Sequence, residues 1–208
     1  MDKYVTVFGE STAEYVEKRS RFIATLRHCE TEKEALNFIA EMRGKYWDAN
    51  HNVFAFSVEK GNLNRFSDDG EPHGTAGKPV LDIITSSTVS DIAIVVTRYF
   101  GGVLLGTGGL VRAYSGTAKQ ALENAEKCEM VFCTKLSVVC DYSDFDKLTA
   151  LIKNDNGMIE NSEYTEKVTV NFILKDSDVQ KFNDDLIASF SAKLVSNIKE
   201  NCILPFKI

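Results

Sequence analysis

VVTRYFGGVLLGTGGLVRAYS, residues 95–115, decides how the first half of this chain folds. The apolar run from Ile92 to Val96 reads as a buried strand, and Leu110 to Ala125 reads as a helix. Between them Gly101, Gly102, Gly106, Gly108 and Gly109 fall within nine positions. Glycine loses more backbone entropy on folding than any other residue, so such a cluster needs a reason beyond plain structure. The usual reasons are conformations closed to other residues, or close approach of another backbone or a ligand. A second dense stretch precedes it: RFSDDGEPHGTAGKP at 65–79 carries Asp68, Asp69, Glu71 and His73. If the two stretches serve one site, the loops at 68–77 and 98–109 meet in space.

Outward from these stretches the pattern alternates strands and helices. Tyr4–Phe8 and Ser20–His28 read as strands. Thr31-Glu32-Lys33-Glu34 has capping-box spacing, and Ala35, Phe38, Ile39 and Met42 recur at helical intervals, so a helix is predicted to about Lys45. Asn52–Glu59 alternates as a strand, Lys60-Gly61-Asn62 turns, and Leu63–Ser67 pairs back. Pro79 suits the first turn of a helix from about residue 78 or 79 to Ser86. Asp91–Thr97 is a buried strand and Gly109–Ala125 a long helix. Composition shifts near Glu126–Thr134. Beyond it the order is strand 134–142, helix 144–154, strand 157–165, strand 167–174, helix 177–190 and strand 193–201, the β-α-β-β-α-β order of ferredoxin-like folds. Ser143 or Asp144 is expected to cap the first of these helices and Asp176 or Ser177 the second. The class is α+β, in two domains at 1–130 and 131–208.

The bulk numbers bound the function. The chain has 208 residues, 44% hydrophobic and 26% charged, with only three prolines, which suits globular domains rather than long linkers. No apolar run approaches the roughly 18 residues of a membrane span. MDKYVTVFGE lacks the basic and apolar regions of a secretory signal, so a cytoplasmic location is expected. The five cysteines are odd in number with no C-x-x-C pair, so buried reduced thiols are expected rather than a zinc site. Net charge is −6, shared equally by residues 1–133 and 134–208, yet all seven arginines and three histidines precede position 113. Arginine's planar fork suits phosphate and carboxylate, so the first half is the better place for a polar ligand.

Four signatures bear on chemistry. A glycine loop feeding a helix presents backbone N–H groups to an anion, and Arg98 and Arg112 flank it as a candidate phosphate clamp. The Walker sequence is absent, and Val111 stands where a dinucleotide fingerprint needs its third glycine, so no nucleotide-hydrolysing loop or cofactor is expected. Asp68, Asp69, Glu71 and His73, with His51, have the chemistry for acid–base work or a divalent cation; no spacing fixes a ligand set, so no metal is assigned. The bland alternative is an Asp-rich turn that caps the next helix. Ser115 falls inside a helix, away from a nucleophile elbow. Tyr99-Phe100 has the stacking surface that single-strand binders use, although adjacent aromatics at a strand end are more often half core and half rim.

Glu17-Lys18-Arg19-Ser20-Arg21-Phe22-Ile23, Asp48-Ala49-Asn50-His51-Asn52 and the two opening stretches resemble, in order and spacing, the YigZ/IMPACT family over roughly residues 15–125. Asn50 departs from a threonine often found before that histidine. The resemblance implies an N-terminal domain similar to the second domain of a small-subunit ribosomal protein and to domain IV of elongation factor G. It also implies a ferredoxin-like C-terminal domain similar to domain V of that factor. Eukaryotic members look like inhibitors of an amino-acid-starvation kinase that carry an extra N-terminal domain; this sequence starts at the family core, so that partnership is not carried over. Two readings follow. The preferred one is a translation-associated binding module contacting RNA, the ribosome or a translation-regulatory protein. In it Arg98, Gly101, Gly102, Gly106, Gly108, Gly109 and Arg112 read phosphate, and Lys18, Arg19 and Arg21 add a basic edge. The other is a hydrolase or transferase using His51, Asp68, Asp69, Glu71 and His73 on a phosphorylated small molecule held at the loop.

Overall fold

The computed structural model describes residues 3–207, which separate into two compact units: Lys3–Glu129 together with residues 206–207, and Met130–Pro205. Each unit mixes helices and strands, an α+β architecture. The first unit runs β1 (Lys3–Val7), β2 (Glu10–Glu17), β3 (Ser20–His28), α1 (Glu32–Lys45), β4 (His51–Val58), β5 (Leu63–Ser67), α2 (Gly77–Thr85), β6 (Ile92–Tyr99) and α3 (Thr107–Asn124). Its sheet has the order β2-β3-β6-β4-β5 and is antiparallel throughout.

β6 shows why its sequence is apolar without alternation. Ile92, Ile94 and Val96 pack with Val80, Ile84, Leu110 and Tyr114 of α2 and α3. Ala93 and Val95, one residue out of phase, pack with Phe38, Ile39 and Met42 of α1. Both faces of this central strand are covered, so every position from Ile92 to Arg98 is buried and only the last residue, Tyr99, is partly exposed. At the start of α1, Thr31 Oγ1 accepts from Glu34 N at 3.3 Å. Glu34 returns its carboxylate to the Glu30 N–H, one residue before the cap, at 2.8 Å. β2 carries almost no apolar signal: only Ser11 and Ala13 are buried along it. Small side chains are needed there because α3 packs close, with Ser11 Oγ donating to the Ala121 carbonyl at 2.8 Å.

The second unit comprises most of β7 (Lys127–Cys140), then α4 (Phe145–Asn154), β8 (Met158–Tyr164), β9 (Val168–Lys175), α5 (Asp176–Phe190) and β10 (Ser196–Lys207). The strand order β10-β7-β9-β8 is that of a split β-α-β pair. Leu136, Val138, Val170 and Phe172 face Leu148, Ile152, Phe182 and Leu186 across one core. The compositional shift at 126–134 falls within β7 rather than in a linker. The expected caps differ as well. Asp144 stands at the cap of α4 without bonding the helix, its carboxylate accepting from Lys193 at 2.8 Å. Asp176 is the first helical residue of α5 and accepts from Thr134 Oγ1 at 2.6 Å. All five cysteines are free thiols, and burial pushes Cys29 up to about 12. Among the described residues no helix is long and apolar enough to cross a membrane.

Candidate functional site

Antiparallel register sets Phe22 of β3, Arg98 of β6 and His51 of β4 in one row across the end of the sheet. Cross-strand partners share a face, here the face that carries α3. Arg98 therefore stands where the strand's pattern calls for another core residue, and it is only 5% exposed. A buried guanidinium survives only when paired and hydrogen-bonded. Its Nη1 donates to Glu71 Oε1 at 2.6 Å, and the Tyr114 hydroxyl donates to the same oxygen at 2.7 Å. Nη2 lies 3.5 Å from Ser20 Oγ, which also accepts from Gly101 N at 3.1 Å. The Phe22 and Phe100 rings each lie 5.4 Å from the guanidinium carbon. Burial, then the Glu71 charge, holds the Tyr114 hydroxyl far above the usual phenol range. The loops at 68–77 and 98–109 thus meet through Glu71 and Arg98.

Two glycines have specific geometric reasons. A Cβ on Gly101 would sit 2.0 Å from the carbonyl carbon of Arg19, so the β2–β3 turn presses directly on the loop backbone. That turn places two side-chain-bearing residues in the left-handed region, Lys18 at φ 46° and Arg19 at φ 66°. Gly106, at φ 72°, starts α3, which has neither a side-chain cap nor an acid in its first turn.

Above this network lies a cavity of about 460 Å³ lined by Asn50, His51, Glu71, Pro72, Arg98, Phe100, Leu104, Leu105, Gly106, Thr107 and Leu110. Its wall is mostly apolar, its floor is the Arg98–Glu71 pair, and the start of α3 forms part of its rim. His51 is oriented by Nδ1, which lies 2.8 Å from the Asp69 carbonyl. A carbonyl only accepts, so Nδ1 carries a proton there. Nε2 lies 3.9 Å from Glu71 Oε1.

The expected acid–base cluster does not converge. Of its five members only His51 and Glu71 line the cavity. Asp68 is turned to the backbone, accepting from Gly74 N at 2.8 Å, Ala76 N at 3.1 Å and Gly77 N at 2.8 Å. Burial alone would raise its pKa, but these three donors outweigh it and the carboxyl is lowered. Asp69 accepts from Asn52 N at 2.7 Å and from Arg43 at 2.9 Å, tying loop to strand. The His73 side chain is fully exposed. Among the described residues no group of three His, Cys, Asp or Glu is placed to hold a metal ion.

The proposed clamp divides too. Arg98 is committed to Glu71, while Arg112 lines a separate hollow of about 140 Å³ with Tyr15, Glu17, Lys18, Leu105, Gly109 and Ala113. Only Leu105 borders both spaces. Gly102 has a positive φ and Gly108 lies in α3 with ordinary room for a Cβ; neither lines either space. Arg21 is bound to Glu14 by two 2.8 Å hydrogen bonds, leaving Lys18 and Arg19 as the basic part of that edge. Ser20, Asn50 and Tyr114 escaped the sequence reading as site residues although all three lie in the distinctive stretches. Each is an ordinary polar residue whose role appears only when distant strands meet.

The chain matches the Impact N-terminal domain over residues 18–122 and a domain of unknown function, DUF1949, over residues 138–193. It is 39% identical over 177 residues to IMPACT family member YigZ of Escherichia coli, covering 84% of this chain and 86% of that protein. IMPACT family member YvyE of Bacillus subtilis is 32% identical over 201 residues, covering 96% and 92%. A solved structure titled as that of a hypothetical protein is 34% identical, with a TM-score of 0.64 over 96% of this chain and 98% of that one. With its first domain matched over half the chain and both bacterial relatives matched over most of their length, this chain belongs to the IMPACT family.

Proposed function

We propose that this chain is a translation-associated binding protein that contacts RNA through the α3 end of its first unit. The observation that carries the reading is an apolar-walled cavity whose rim combines exposed Phe100 and Leu104 with the uncapped, acid-free start of α3. Bases stack on apolar and aromatic surfaces, and backbone N–H groups at a helix start favour phosphate. Lys18 and Arg112 line the adjoining hollow and supply local positive charge on an otherwise acidic chain. In the same reading the first unit is similar to the second domain of a small-subunit ribosomal protein and to domain IV of elongation factor G, the second unit to its domain V, and the protein acts in the cytoplasm. A hydrolase or transferase for a phosphorylated small molecule is disfavoured, because Asp68, Asp69 and His73 have other partners or face solvent.

The test is binding of the full chain to single-stranded RNA and to ribosomes across a salt series. Affinity is expected to fall with salt, and Arg112→Ala is expected to flatten the log–log slope by about 0.7 for a lost phosphate contact, with an unchanged melting temperature. Absence of salt-dependent binding to either target would overturn the reading.

A further inference from the structure

We infer that Cys133 of β7 and Cys202 of β10 join as a disulfide when the protein meets a peroxide, which makes this strand pair a redox-modification site. Both residues belong to the second unit, and the inference does not rest on the RNA reading.

Side-chain contacts fix how the two strands align. β10 is hydrogen-bonded to β7. Thr134 Oγ1 lies 3.5 Å from Asn201 Oδ1, and Lys135 Nζ lies 3.4 Å from Glu200 Oε2. One step forward on β7 is therefore one step back on β10, so the strands are antiparallel and Cys133 stands opposite Cys202. Lys135 and Glu200 are two residues on from the cysteines, and side chains two apart share a face. Their ion pair thus lies on the same face as the two thiols. The electrostatics agrees: burial, then the neighbouring Cys202 thiol, pushes Cys133 up to about 11. Opposed residues in an antiparallel pair have Cα atoms about 4.5 or 5.5 Å apart, according to whether they are hydrogen-bonded. Both values fall within the roughly 4.4–6.8 Å that a disulfide spans.

The two thiols differ in access. Cys202 is half-buried, whereas Cys133 is buried and its S–H donates to the Val131 carbonyl at 3.5 Å. Cys202 is therefore the sulfur that a peroxide reaches. Its sulfur bonds one peroxide oxygen as the O–O bond breaks, and the thiol proton leaves with the other oxygen as water, giving a sulfenic acid. Cys133 then attacks that sulfur. The S–S bond forms, the S–O bond breaks, and the Cys133 proton departs with the hydroxide as a second water. Two electrons pass from the thiols to the peroxide. The thiolate is the nucleophile, and burial raises Cys202 as well, so the reaction is slow at neutral pH. In a reducing compartment the pair rests as free thiols, and disulfides that form there are transient and redox-sensing. The product ties β10 covalently to β7 across the segment that holds α4, β8, β9 and α5.

The experiment treats the reduced full chain with hydrogen peroxide, removes the excess, and alkylates the remaining thiols in denaturant. Alkylation is expected to fall by two from the five thiols of the reduced chain. Before alkylation the intact mass should be about 2 Da lower, the two hydrogens lost in a two-electron oxidation. Trypsin cuts after Lys127, Lys135, Lys199 and Lys207, so peptide 128–135 should be found joined to peptide 200–207 and released by dithiothreitol. Peptide 128–135 also carries Cys128. Cys128→Ser should therefore keep the link, and Cys133→Ser should lose it. Cys202→Ser, at the half-buried position, should lose it too, which makes the test independent of how the buried Cys133 variant folds. The oxidised protein should run as a single chain on a non-reducing gel. A link through Cys128, a disulfide between two copies, a Cys202 that proceeds to sulfinic acid while Cys133 stays alkylatable, or five alkylated thiols after peroxide would each overturn the inference.

Discussion

Arg98→Ala is the substitution that most directly tests whether the first unit is built around an internal charge pair. In the folded chain the guanidinium and the Glu71 carboxylate are 6% and 4% exposed and 2.6 Å apart. Removing the arginine leaves a buried carboxylate with the Tyr114 hydroxyl as its one side-chain donor. Breaking a buried pair from one side costs about 3–5 kcal/mol, because the remaining charge keeps its desolvation penalty and loses its compensation. The Phe22 and Phe100 rings also lose their cation. That sum is a large share of the ~5–15 kcal/mol that holds a domain together. Urea unfolding followed by circular dichroism resolves the effect as a shift of the midpoint. The companion variant Arg98→Met with Glu71→Gln keeps an acceptor for Tyr114 and removes both charges, and it should recover most of the loss. An Arg98→Ala protein with the wild-type midpoint would refute the reasoning: the pair would then be solvated, and Arg98 available to a ligand.

Gly101→Ala is expected to destabilise the first unit strongly, because its Cβ would lie 2.0 Å from the Arg19 carbonyl carbon and backbone must move; a melt unchanged within a degree would contradict this. Gly106→Ala and Gly108→Ala should have opposite signs. The first puts a side chain at φ 72° and costs about 1–2 kcal/mol, while the second fills open helix surface and gains up to about 1 kcal/mol, both read as shifts in denaturation midpoint. Asp68 should contribute to acid stability. Its folded pKa is lowered, so its contribution is complete above the unfolded value of about 3.9 and is lost as pH falls through the folded one. Burial raises Asp91, whose contribution has the opposite sign. The stability difference between wild type and Asp68→Asn, measured from pH 7 to pH 3, is therefore the diagnostic quantity. It should shrink toward the acid end, and a constant difference would remove the assignment.

Strongly periodic elements were legible from the sequence. The α1 pattern and its Thr31 cap needed no tertiary information, because a helix start satisfies its own N–H groups locally. The β-α-β-β-α-β order of the second unit followed from alternating runs. β2 was not legible, because its buried positions are Ser11 and Ala13 and its remaining side chains are mostly polar. Polar residues at the site were the hardest. Five acids and imidazoles in the distinctive stretches looked like one cluster, but three of them serve the backbone or face solvent. Nothing local separates Asp68, which caps α2 across eight and nine residues, from Glu71, which reaches into the core toward Arg98.

The glycine cluster shows why the site itself could be located but not described in advance. Its density signalled a constraint, and the constraint divides among several causes. Gly101 is small because a neighbouring turn occupies its side-chain space, Gly106 because α3 must start from a left-handed residue, and Gly108 for neither reason. The first cause involves residues eighty positions away in sequence, so composition alone could not assign it. It also ties the loop's position to the β2–β3 turn. Ser20, directly after that turn, holds both Gly101 N and the Arg98 guanidinium, so a movement of the turn would be felt at the floor of the cavity. The Lys18–Arg19 turn is therefore a mechanical stop for the loop and, in the proposed RNA reading, the basic rim offered to a phosphate. A ligand contact at either residue acts on the same packed backbone that keeps Glu71 and His51 in register.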